Sequence, residues 1–198
     1  MSCKTLIAHN VAYLHQALEL LGVLEEADYR ETRPPFFRSG IGEHLRHIIE
    51  HYQCFVRGLP AAAIDYDGRE RDTRISGSTA HAAGSIQTLI AQMEALRAED
   101  QPVRVRLDGS NADPDEDPWS SSTIRRELQY LQAHTVHHYA LIAFILRLQG
   151  NEPSEEFGVA PSTLRFRASD STRNTGASDS TDRSSPAAEA SRRADAAR

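Results

Sequence analysis

Histidine is the residue type with the most chemistry to offer in this chain of 198 residues, which holds nine of them. Neutral imidazole is a common ligand for divalent transition metals, and its charge changes near neutral pH. The first informative pair is His134 and His138, within LQYLQAHTVHHYALIAFILRLQG. At about 100° per residue, Leu131, His134, His138, Leu141, Ile142 and Ile145 are expected to share one face of a helix. Two imidazoles one turn apart on such a face can both reach a single ion, the geometry used by zinc helices of the HExxH type. A lone histidine on an apolar face is usually no more than a hydrogen-bonded core residue. A same-face pair answered by histidines on another helix points instead to a divalent metal. Buried rings need a partner of some kind, because an unpaired buried polar group costs on the order of 1–3 kcal/mol. His137 falls at the edge of the stripe and reads as a supporting or surface residue.

The answering histidines lie in IGEHLRHIIEHYQCF, at His44, His47 and His51. A helical wheel puts His44 and His51 near the apolar centre set by Ile41, Ile48 and Phe55, and His47 further round beside Cys54 and Glu43. Periodicity leaves the third ligand open among the three. Three imidazoles leave coordination positions free, where an ion acidifies a bound water or holds a thiolate. No single general base stands out, since Glu43, Glu50, His44 and His51 all fall within about a turn of the presumed ligand.

The elements that must position these residues follow from spacing. Leu6, Ile7, Val11, Leu14, Leu18 and Leu21 predict a helix ending near Gly22. Pro34 and Pro35 interrupt residues 30–40, and a second helix is expected over Ile41–Arg57, stopped by Gly58-Leu59-Pro60. Residues 61–78 are polar and broken by Gly68 and Gly77, which reads as a long solvated loop. Its acidic residues lack the spacing and terminal glutamate of a calcium loop. Arg69 or Arg71 is the functional exception there, able to reach over a metal mouth toward an anionic group. Ser78 caps a third helix through about Arg97, and a fourth is expected over Thr123–Gln149 with Gly150 at its end. Residues 103–107 alternate apolar and charged as a short strand would, but no partner strand is evident. Trp119 reads as a packing residue at the end of the helices, and residues 157–166 as an ordered extension. The expected class is therefore all-α, a four-helix bundle over residues 1–166. Residues 167–198 contain no aromatic residue and no Leu, Ile or Val, and are expected to form a disordered tail.

Composition narrows the partners. A formal net charge of −6 argues against nucleic acid, whose phosphates require a basic face. No membrane span or secretion signal is expected, because His9, Asn10 and His15 interrupt the apolar residues of the N-terminal stretch. The two cysteines, Cys3 and Cys54, form neither a disulfide framework nor a CxxC zinc site, and free thiols suit a cytoplasmic protein.

GEHLRHIIEHY together with AHTVHHYALIAFILRLQG resembles the DinB/YfiT-like family of metal-binding four-helix bundles, over roughly residues 5–150. Carried over by motif, the resemblance implies His47, His134 and His138 as ligands of one divalent ion, zinc or nickel most often and iron in some branches. The HLRH run is also similar to the H-L-x-H stretch of the DinB-like domain in ergothioneine-forming enzymes, which again selects His47. The resemblance implies a metal-dependent thiol S-transferase or hydrolase acting on a small molecule, with a low-molecular-weight thiol as one substrate class. Its alternative is a non-catalytic metal-binding or stress-response protein. A homodimer is also implied. The chain departs from many members after the last ligand, where Tyr139-Ala140-Leu141 replaces a stretch that ends in a polar Gln.

Overall fold

The computed structural model describes residues 1–107 and 117–175. Four long helices carry most of it: α1 (Cys3–Val23), α3 (Ile41–Gly58), α5 (Thr79–Ala95) and α6 (Ile124–Leu148). The short helices α2 (Glu26–Arg30) and α4 (Thr73–Gly77) lie between them in sequence. α1 packs on α5 and α6, and α3 packs on the same two helices. Their shared interior is apolar, with Leu6, Leu14, Leu45, Ile49, Ile86, Met93, Leu131 and Ile142 nearly devoid of solvent contact. Among the described residues no helix is long and apolar enough to cross a membrane.

Local chemistry sets the helix ends close to where spacing predicts them. Ser2 accepts the Thr5 N–H at 3.2 Å, Ser78 the His81 N–H at 3.3 Å, and Thr123 the Arg126 N–H at 3.2 Å. Each cap satisfies one of the amide donors that a helix start leaves without a partner. At the start of α3 the carboxylate of Glu43 reaches back to the Gly40 N–H at 2.9 Å. α6 ends in a Schellman turn: Gly150 takes the left-handed conformation (φ 87°), and Asn151 N–H bonds to the Leu146 carbonyl at 2.8 Å.

The expected all-α class needs correction, because a three-stranded sheet stands beside the helices. β1 (Ala63–Asp65) pairs in parallel with β2 (Pro102–Arg106), which pairs antiparallel with β3 (Ser120–Thr123). Val103 and Val105 are buried while Pro102, Arg104 and Arg106 are exposed, the alternation that marked this stretch as a strand. Its partners escaped notice because Ala-Ile-Asp and Ser-Ser-Ser-Thr are too short and too polar to show a period of two. Trp119 lies at this sheet, with the Arg104 guanidinium 5.6 Å over its ring.

The segment expected as one long loop is likewise structured, holding β1 and α4. Glu50, only 2% exposed on α3, accepts the Asp72 N–H at 2.8 Å and ties this segment back to the helix. A second compact unit starts at Pro161 and contains α7 (Pro161–Thr175). The stretch expected as a tail begins inside this helix, and its remainder, residues 176–198, lies outside the described residues.

Candidate metal centre

Three histidines of α3 face two of α6. On α3 the steps are i, i+3 and i+7, which keeps His44, His47 and His51 within about 60° on the wheel. On α6, His134 and His138 stand one turn apart. Their position differs from the expected stripe. The buried residues of α6 are centred on Leu128, Leu131, Thr135, Ile142 and Leu146, whereas Leu141 is 38% exposed. His134 and His138 therefore flank the stripe, half-buried.

A buried polar network sets the register between the two helices. Tyr52 donates its hydroxyl proton to Asn10 Oδ1 at 2.7 Å and lies 3.1 Å from the Thr135 hydroxyl. Asn10 in turn donates to the carbonyls of Leu6 and Leu128. Tyr139 donates to the Tyr13 carbonyl at 2.6 Å and stacks on Phe157, with ring centroids 4.6 Å apart. The anchors Tyr52, Thr135 and Tyr139 each directly follow a histidine of the cluster. A buried hydroxyl with one satisfying partner resists sliding or rotation of its helix, because the displaced group would lose its hydrogen bond inside the core.

The ring nitrogens converge. His134 Nε2 lies 3.1 Å from His47 Nε2 and 3.1 Å from His138 Nε2. A neutral imidazole nitrogen carries either one proton or one lone pair, so two such contacts cannot both be hydrogen bonds donated by His134. Two nitrogens each about 2.0–2.1 Å from a shared ion stand roughly 2.9–3.4 Å apart for bond angles of 90–109°. The two observed spacings fall in that interval, as nitrogens turned toward a shared ion would. The other nitrogen of His134, Nδ1, is buried with no partner among the described residues.

His44 and His51 border this trio in different ways. His44 Nδ1 lies 3.0 Å from His138 Nδ1. His51, 1% exposed, has Nδ1 2.7 Å from the His47 carbonyl, and since a carbonyl only accepts, Nδ1 carries the proton. Its Nε2 therefore bears the lone pair and accepts from Arg69 at 3.3 Å. His47, His51 and His134 also place potential donor atoms within 4.8 Å of one another, a second triplet to weigh against the first.

Burial is the largest influence on all five rings, and it favours the neutral form that binds metals. It drives His134 down to about 2 and His47 to about 3. His51 and His138 are driven down to about 4, and His44 is lowered as well. Neighbouring imidazoles reinforce the effect on His47, His134 and His138.

Of the two loop arginines, Arg69 reaches the cluster: its side chain is 17% exposed and lies 3.9 Å from Glu50. Arg71 is exposed, in a left-handed conformation. The candidate bases divide as well, with Glu43 spent on the cap of α3 and Glu50 on Asp72 and Arg69. Sequence reasoning missed two aromatics. Tyr130 stacks on His134 at 5.5 Å between centroids, and its spacing of four residues could have revealed it. Tyr66 stacks on His51 at 5.3 Å and donates to the buried Glu127 carboxylate at 3.0 Å, but its place depends on strand pairing and left no local signal. Cys3 and Cys54 are buried free thiols.

A family model described as the DinB superfamily matches residues 11–142. No curated protein and no solved structure matches the chain.

Proposed function

The chain belongs to the DinB superfamily, and we propose that it holds one divalent metal ion on His47, His134 and His138 and uses it in thiol transfer or hydrolysis on a small molecule. The observation that carries this reading is the pair of 3.1 Å contacts converging on His134 Nε2. His51 is the weaker third ligand, because its two nitrogens are engaged by the His47 carbonyl and by Arg69. The four long helices are read as the family's four-helix bundle, with the sheet as an addition at its side.

When bound, the ion would supply Lewis acidity to a thiol or a water. The chain's own contribution is to keep three lone pairs neutral and aimed at one point, and to set Arg69 beside them. Imidazole donors suit zinc and nickel, with iron as a further candidate. A cytoplasmic setting and a homodimer belong to the same proposal, on the family resemblance and the free thiols.

The test is elemental analysis of the purified chain beside a His134→Ala, His138→Ala double variant. About one divalent ion per chain is expected in the former and almost none in the latter. Metal that is absent from the native chain, or unchanged by the substitutions, sinks the site. Conjugation assays with low-molecular-weight thiols then separate an enzyme from a metal-binding or stress-response protein that only holds the ion. Turnover that disappears in the double variant supports the enzyme.

A further inference from the structure

We propose that His44 is a positioning residue for His138 rather than a ligand, and that it decides which nitrogen of His138 is offered to the ion. This rests on the metal reading above. His138 makes two contacts through opposite ring atoms: Nε2 stands 3.1 Å from His134 Nε2, and Nδ1 stands 3.0 Å from His44 Nδ1. A neutral ring has one N–H and one lone pair. If Nε2 gives its lone pair to an ion, the proton is on Nδ1 and must be donated, and His44 Nδ1 is the acceptor in place. The assignment then propagates, because a His44 that accepts at Nδ1 carries its own proton on Nε2.

The same logic keeps His44 off the metal through that nitrogen, whose lone pair is used by His138. The ring centroids stand 5.2 Å apart with the planes tilted by 44°, an edge-to-edge approach suited to a hydrogen bond rather than a stack. The contrast with His134 sharpens the role, since Nδ1 of His134 has no partner among the described residues. Of the two α6 ligands, then, His138 has its outer nitrogen held. Outer partners of this kind hold ring orientation and tautomer, and their loss weakens metal binding by roughly 10–100-fold. The wheel placed His44 near the apolar centre of α3, and this contact gives that position a use.

The test is chelator competition with Zn²⁺ and with Ni²⁺ on the full chain, for the native protein and for His44→Ala, His44→Asn and His138→Ala. His44→Ala is expected to bind one ion with a Kd raised roughly 10–100-fold. His44→Asn puts an amide oxygen near the place of Nδ1 and is expected to recover most of that loss. His138→Ala is expected to lose more than His44→Ala. Long-range ¹H–¹⁵N spectra of the zinc-loaded native chain should show His138 protonated on Nδ1 and His44 on Nε2. Native binding with an unaltered Kd in His44→Ala overturns the inference alone, as does a protonated Nδ1 on His44. A loss in His44→Ala equal to that of His138→Ala, with no rescue by Asn, makes His44 a ligand and also overturns it. A native chain that binds neither ion overturns the metal reading itself, and the inference with it.

Discussion

At the residue scale, protonation governs whether this cluster can work, and burial has already chosen the neutral state. A histidine in an unfolded chain titrates near 6.5, whereas the folded values here lie lower, near 4 for His51 and His138 and lower still for His47 and His134. Between those limits the unfolded chain binds more protons than the folded, metal-free protein, so stability rises with pH across that window. The contribution is complete above about pH 6.5 and declines as the pH falls through 4 toward about 2. Urea titrations of chelator-treated protein should therefore give a lower midpoint at pH 5 than at pH 7.5, and equal midpoints would contradict a neutral cluster. A second residue-scale prediction concerns Asn10, which is fully buried and satisfies Tyr52 and the Leu128 carbonyl. Asn10→Ala removes the acceptor of the buried Tyr52 hydroxyl and should cost about 1–3 kcal/mol in denaturant unfolding.

Elements matter here because the cluster draws on two of them, and neither helix can supply it alone. Capping sets where α6 starts: Thr123→Ala removes the hydroxyl that accepts from Arg126 and should destabilise the protein by about 1 kcal/mol. Metal stoichiometry should be unchanged in that variant, because the histidines lie several turns away. α3 depends on close packing at Gly42, where a Cβ would overlap the Ser76 carbonyl oxygen and crowd the Tyr29 ring. Backbone cannot yield as a flexible side chain can, so Gly42→Ala should cost about 1–3 kcal/mol, read as a lowered Tm. Helix spans were legible because caps, prolines and apolar spacing are local, as with Gly58-Leu59-Pro60 and the Gly150 turn. The sheet was legible only at β2, since β1 and β3 have no pattern apart from the strand they pair with.

Across the whole molecule, a metal held by His47 from α3 and by His134 and His138 from α6 would cross-link two helices far apart in sequence. Binding to the folded state alone stabilises it by about 2.7 kcal/mol when free metal is 100 times the Kd. Chelation should accordingly lower Tm, and the His134→Ala, His138→Ala variant should show no metal-dependent shift. A shift of equal size in both proteins would place the stabilising ion elsewhere. The sequence by itself determined the α6 pair, because a separation of four residues on one helix fixes their proximity whatever surrounds them. It also put three histidines on the expected second helix and left open which of them answers. Tertiary structure brought both His47 and His51 against His134, since helix rotation is settled by packing and by the Tyr52–Thr135 contact rather than by periodicity. The wheel favoured His44 and His51, whereas the fold brings all three α3 rings to α6 and separates them by what each nitrogen touches. His47 meets His134 directly, His44 meets the outer nitrogen of His138, and His51 turns one nitrogen to backbone and the other to Arg69. Hydrogen-bond direction is a property of three-dimensional contact, and no spacing along one helix encodes it.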